Sequence, residues 1–204
     1  MNSSGHWDEI FEAVPAEGYY AKPPNPDIVK VAGLLAPGSS ALDLGCGMGG
    51  SDIYLAERGF EVTAVDFSEV ATKALAAESL RRGANVEVRR EDVRDFRFEK
   101  QYDLVIAHGI FQFLDRTVWD GLVSESKSHT NPGGLNLVAV FTDKVPTPPD
   151  MEHAIGDVFR EGELFELYAD WEAVSKESYV KEDEHPGGIK HRHPIEKIIA
   201  RKSK

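Results

Sequence analysis

The sequence predicts an α/β fold whose sheet is mostly parallel and ends in an antiparallel hairpin. Three observations carry this. From residue 41 onward, short apolar runs alternate with helix-period segments, as parallel strands joined by crossover helices require. The first of these runs leads directly into a glycine cluster and then a helical stretch. The last two strand-like runs follow one another with only a polar segment between them, which lets them pair antiparallel.

The elements follow in order. Residues 1–37 hold about two helical patches broken by Pro15, Pro23, Pro24 and Pro26, which suits a helical cover over one end of the sheet. The remainder, 38–204, reads as the main body of a single domain. Ala41-Leu42-Asp43-Leu44 is a buried first strand, and it runs into Gly45-Cys46-Gly47-Met48-Gly49-Gly50. Residues 51–58 form a helix closed by Gly59, and 61–66 form the second strand. Ser68 caps an alanine-rich helix that stops at Gly83. Residues 86–90 and 102–107 are the third and fourth strands, and a helix over 116–129 follows. Asn131-Pro132-Gly133-Gly134 reads as a turn before the fifth strand, 135–141. Pro146, Pro148 and Pro149 favour an extended loop. A short helix around 161–170 precedes strands at 172–180 and 195–201, with a glycine- and histidine-rich polar loop, 181–194, between them. That makes seven strands.

Composition narrows the function. Hydrophobic residues are 41% and charged residues 28% of the 204, the balance of a globular chain. The net charge of −12 argues against nucleic acid and anionic membrane as partners. Six basic residues against Glu196 alone make residues 189–204 a basic end on an acidic chain, a place to meet an anionic or soft acceptor. The single cysteine, Cys46, forms no intrachain disulfide and reads as a small packing residue. No signal-like start and no membrane-length apolar run are present, so the expected location is cytoplasmic. A monomer or a homodimer is expected.

A strand, then glycines, then a helix N-terminus brings bare backbone to the carboxyl edge of a sheet, where a ligand can approach closely. Gly45, Gly47 and Gly50 satisfy the spacing G-x-G-x-x-G, and Asp66 ends the next strand, a pattern also compatible with NAD. Asp43 separates the readings. An acid two residues before the first glycine faces a pyrophosphate unfavourably but suits a ligand bearing an ammonium and a sulfonium.

Asp43-Leu44-Gly45-Cys46-Gly47-Met48-Gly49-Gly50, Asp66, Glu91-Asp92-Val93, Tyr102-Asp103-Leu104-Val105 and Asn131-Pro132-Gly133-Gly134, in that order, resemble the class I S-adenosylmethionine-dependent methyltransferases. The resemblance implies a three-layer, Rossmann-like methyltransferase fold and S-adenosyl-L-methionine as cofactor, with S-adenosyl-L-homocysteine as product. It implies that Asp43 and the backbone of Gly45 and Gly47 contact the methionine part. Asp66, with Phe67 beside it, would hold the ribose, and Asp92 with Val93 the adenine. His108 and Gly109 would sit near the transferable methyl. Tyr19, Tyr20 and Lys22 in the cover are candidates for closing over the cofactor, or pack the cover alone. Phe111, Phe113 and Trp119 read as core rather than a substrate cage.

Trp7-Asp8-Glu9, Phe111-Gln112-Phe113-Leu114, Gly162-Glu163-Leu164 and Trp171-Glu172 are similar to the small tellurite-resistance and thiopurine-methyltransferase-like enzymes. In the tellurite family a His-Arg pair precedes the last strand. Here His185 matches the histidine and Pro186 replaces the arginine, so the resemblance does not carry tellurite itself. The chain offers His185, His191 and His193 instead. On an extended strand His191 and His193 share a face, the geometry of metal or oxyanion ligands, and the alternative is a solvated loop. The catalytic candidates are therefore His108, His185 and His191, and the metal candidates His185, His191 and His193. The expected activity is methyl transfer to a small molecule, with a thiol, selenium or tellurium acceptor in detoxification. The alternatives are an O- or N-methyltransferase of a small metabolite, a non-catalytic protein binding the S-adenosyl ligand, and an NAD-dependent oxidoreductase.

Overall fold

The protein is described by a computed structural model over residues 4–148, 151, 155–185 and 189–204. Its strands are β1 (Ser40–Leu44), β2 (Glu61–Asp66), β3 (Val86–Arg90), β4 (Tyr102–His108), β5 (Thr130–Phe141), β6 (Glu172–His185) and β7 (Ile189–Arg201). They form one sheet in the order β3-β2-β1-β4-β5-β7-β6. The first five are parallel, and β7 pairs antiparallel with both β5 and β6.

The helices are α1 (Ser4–Glu12), α2 (Ala16–Tyr20), α3 (Pro26–Ala32), α4 (Gly50–Ala56), α5 (Glu69–Arg82), α6 (Arg116–Ser128) and α7 (Glu163–Leu167). Alternation along the strands sends side chains to two cores. Leu42, Leu44, Val105, Val138 and Ile198 pack with Trp119 of α6 and Leu164 of α7. Ala41, Leu104, Ile106, Leu137 and Ile199 pack with Ile28 and Val31 of α3 and Leu55 of α4. Burial on both faces explains why the parallel strands read as continuous apolar runs.

Local sequence sets the helix ends. Asn25 accepts from the Asp27 N–H at 2.9 Å and leads into Pro26 at the start of α3. Ser68 Oγ accepts from the Ala71 N–H at 3.1 Å, and Gly83 takes the left-handed conformation that stops α5.

Two expectations need correction. The cover contains three helices, because Pro15 and Pro26 begin helices, at the cap of α2 and in the first turn of α3, instead of only separating them. The expected turn at 131–134 is present, but inside β5: four residues stand opposite Asp103 between the Tyr102–Thr130 and Leu104–Leu135 pairings, Gly133 has φ +80°, and the excursion is held by Gly133 N–H to Lys202 O at 3.0 Å and Lys202 N–H to Gly134 O at 2.9 Å. Most of 181–194 is no loop. β6 and β7 pair through His185 and Ile189, so the hairpin stands beyond the last rung that β7 shares with β5, Phe141 with Ile195.

Candidate functional site

The strand order reverses direction between β1 and β4, the crevice where open α/β sheets take ligands. A groove in two parts opens there, both lined by Gly45. Gly45 has φ +76°, and a Cβ on it would come within 2.9 Å of the Ile110 side chain. Only glycine allows that approach.

The first part, a cavity of about 120 Å³, is walled by Trp7, Phe67, Val93, Ile110 and Phe113, with Asp66 and Asp92 as its acids. Asp66 Oδ2 accepts from the Gly47 N–H and Oδ1 from the Ser68 N–H, each at 2.9 Å. The carboxylate thus ties the glycine loop to the end of β2 and holds its own orientation. Arg94 Nε donates to Asp92 Oδ1 at 2.8 Å, and this pairing holds the Asp92 carboxyl below the usual carboxylate range.

The cover closes this cavity. Trp7 of α1 packs edge-on against Phe113 with ring centroids 4.8 Å apart, and the Phe11 ring lies over Gly47. Asp8 Oδ1 accepts from Ser68 Oγ at 2.5 Å and from the Val70 N–H at 3.2 Å, so α1 is clasped to the start of α5. Sequence reasoning used Trp7 and Asp8 only for the family resemblance and did not place them at the site. The signal available was the spacing of Trp7, Ile10 and Phe11 on one helical face. Phe113 is likewise a wall of the groove, whereas Phe111 and Trp119 are core, as expected.

The second part, about 450 Å³, is lined by Tyr19, Tyr20, Lys22, Asn25, Asp43 and His108 among others. The Tyr20 hydroxyl donates to Met48 O at 2.7 Å, which fixes the cover against the glycine loop. Burial, with Asp52 and Asp66 nearby, pushes the Asp43 carboxyl well above its ordinary value. Burial does the same to the Cys46 thiol, so no thiolate nucleophile is available there.

His108 ends β4 and opens onto this cavity. Asn25 Nδ2 lies 3.4 Å from its Nε2. His108 keeps an exposed edge, but the cavity walls around its ring hinder solvation of the charged form and lower its pKa below the ordinary imidazole value; Asp27 opposes this and Lys197 adds to it. His108 is therefore a neutral imidazole at neutral pH.

The other histidines lie elsewhere. His191 and His193 are on β7 with 2% and 5% of their surface exposed, which overturns the solvated-loop reading for both. The His193 ring stacks on Phe141 at 5.0 Å, and neither histidine lines either cavity. His185 closes β6, and its side chain lies outside the described residues, as does Pro186. Among the described residues no three His, Cys, Asp or Glu side chains converge as metal ligands.

Three of the six basic residues at the C-terminal end are engaged within the protein. Lys202 Nζ donates to the carbonyls of Lys127, Ser128 and Thr130, closing α6, and Arg201 donates to Gly133 O. Lys197 is paired with Asp27 at 2.7 Å and Glu177 at 3.1 Å.

Comparison with known proteins agrees with this geometry. The family model described as tellurite resistance protein TehB matches residues 14–192. A Haemophilus influenzae protein described as a probable S-adenosyl-L-methionine-dependent methyltransferase, TehB, is 33% identical over 163 residues, covering 76% of this chain and 55% of its own length. The chain thus spans about half the length of the curated relatives it matches. The crystal structure of TehB from Haemophilus influenzae superposes with a TM-score of 0.81 at 29% identity, over 92% of this chain and 65% of that one. The N-methyltransferase NodS of Bradyrhizobium japonicum, in complex with S-adenosyl-L-homocysteine, shares the fold over the whole of both chains, with a TM-score of 0.71 at 14% identity.

Proposed function

The chain belongs to the tellurite resistance protein TehB family of class I methyltransferases, and from that premise we propose that it transfers the methyl group of S-adenosyl-L-methionine to a small-molecule acceptor. The observation that carries the reading is the division of the groove at Gly45. One half is aromatic and apolar with Asp66 and Asp92, the chemistry for a ribose and an adenine. The other half has Asp43 at its base, the chemistry for an α-ammonium group. The sulfur would then lie at the junction, where glycine leaves the backbone bare.

Methyl transfer from a sulfonium is an in-line displacement, and holding the two partners in line away from water supplies most of the acceleration. Ile110 and the cover helices wall the junction and narrow its access to water. A soft acceptor, a thiol or a selenium or tellurium species, needs no more than this.

A second reading is favoured by His108. A neutral imidazole opening onto the cavity is a base for an acceptor with an O–H or S–H group. The acceptor displaces the Asn25 amide from Nε2, and the proton moves to that nitrogen as the acceptor's electron pair forms the new bond to carbon and the carbon–sulfur pair returns to sulfur. Asn25 would hold the ring in place before the acceptor arrives.

Calorimetric binding of S-adenosyl-L-homocysteine, with no binding of NAD, tests the cofactor. Turnover of S-adenosyl-L-methionine against a panel of thiols, phenols, selenite and tellurite tests the acceptor, and no turnover with any of them would favour a non-catalytic binding protein. Among the described residues no helix is long and apolar enough to cross a membrane, and a cytoplasmic site of action fits a diffusible acceptor.

A further inference from the structure

Asp52 lies in the first turn of α4, directly behind the glycine loop, with none of its surface exposed. Neither of its carboxylate oxygens has a hydrogen-bond partner among the described residues. An ionised carboxylate in that state is among the most costly groups a protein can bury. Its surroundings make the cost higher. Asp43 on β1 and Asp66 on β2 are acids within its electrostatic reach, and its charge also bears on Cys46 of the loop and Tyr19 of α2. Among the described residues none of the three aspartates is ion-paired with a lysine or arginine.

Asp66 is the best compensated of the three, since two backbone N–H groups point at its oxygens. Asp43 and Asp52 have no such support, and burial pushes the Asp52 carboxyl up to about 7, with Asp66 adding to it. Two interacting buried acids of this kind titrate as a pair and keep a proton near neutrality. A cation entering the cavity above Asp43 changes that balance.

We infer that Asp43 and Asp52 hold a proton between them in the unliganded protein and release it to solvent when the ammonium group of the ligand arrives. The amino-acid half of the groove then recognises its ligand by exchanging a proton for a cation, and Asp52 is a positioning residue for charge that acts through Asp43. The inference rests on the reading of that half as the seat of an α-amino acid group.

The test is isothermal titration of S-adenosyl-L-homocysteine into the full chain between pH 6 and 8. Each titration is run in phosphate and in imidazole, whose ionisation heats differ, so that protons exchanged are counted. The expected result is release of about half to one proton per ligand near pH 6.5, falling toward zero by pH 8. Over the same range Kd tightens by up to about tenfold per pH unit. Asp52→Asn and Asp52→Ser diminish the release and weaken the dependence, and unchanged circular dichroism shows that the variants fold. A readout without ligand accompanies these. Wild-type melting temperature falls as pH rises from about 4 to about 7, because the unfolded chain ionises the buried aspartates first, and the fall is smaller in the variants. Binding without proton exchange in the wild type, or release undiminished in both variants, overturns the inference alone. Failure of S-adenosyl-L-homocysteine to bind overturns the functional reading and this inference with it.

Discussion

Lys197 Nζ stands 2.7 Å from the Asp27 carboxylate, and the pair faces His108 across the register row His108, Ala139, Lys197. The two charges pull the imidazole in opposite directions: Asp27 raises its proton affinity and Lys197 lowers it. Lys197→Met leaves Asp27 unopposed, so the His108 pKa rises and the acid limb of kcat/KM moves to higher pH. Asp27→Asn moves it the other way. Proton NMR titration of the His108 ring checks both directions independently of activity. Loss of either partner from so shielded a pair also destabilises the fold by about 3 kcal/mol.

Asp66 serves the loop as well as a ligand. Its two backbone hydrogen bonds join Gly47 and Ser68 to the end of β2, and bonds to a charged acceptor are worth about 1.5–3 kcal/mol each. Asp66→Ala is expected to weaken S-adenosyl-L-homocysteine binding by about 10- to 100-fold and to lower the melting temperature together with it. Asp66→Asn, which retains one acceptor oxygen, loses less of both. Unchanged affinity in the alanine variant would remove Asp66 from the ligand site.

Trp7 should report ligand entry. It lines the apolar cavity, whereas Trp119 is buried in the core and Trp171 lies by α7. Its fluorescence is expected to change on titration with S-adenosyl-L-homocysteine, and the change should vanish in Trp7→Phe. Asp8→Ala removes the clasp on Ser68 and Val70. A lost cap of this kind costs about 1 kcal/mol, so affinity should fall by less than about tenfold while α1 becomes more open to proteolysis.

Lys202→Met separates a structural cation from a substrate-binding one. The ammonium satisfies three carbonyls at the C-terminal end of α6 and just beyond it, and their loss is expected to cost about 1–3 kcal/mol in chemical denaturation. Ligand affinity and kcat should stay at wild-type values, because Lys202 lies at the end of the sheet away from the groove.

The cofactor half of the groove was legible in the sequence because its rules are local. A strand, glycines and a helix follow in order, and Ser68 and Gly83 bound α5 by chemistry that acts within a few residues. What depends on distant partners was not legible. Asp8 reaches Ser68 across 60 residues, and His193 is sheltered beside Phe141, so neither the clasp nor the buried hairpin could be read from neighbours in sequence. Asn131-Pro132-Gly133-Gly134 turns as its composition says, but that β5 begins before the turn, at Thr130, depends on pairing with Tyr102 and was not legible. Asp52 looked like an ordinary polar helix residue, since nothing nearby shows that α4 turns it inward.

The sheet order also bears on synthesis. β7 comes last of the seven strands in the chain but sits between β5 and β6, and its register runs from Leu135 with Arg201 to Phe141 with Ile195. On the ribosome, therefore, β5 presents a bare edge until residues 195–201 emerge, and β6 has nothing to pair with. Pairings of such sequence separation form slowly, and an open edge invites association with other chains. A chain halted before residue 195 would hold every residue assigned here to the adenosine cavity and still lack a finished sheet.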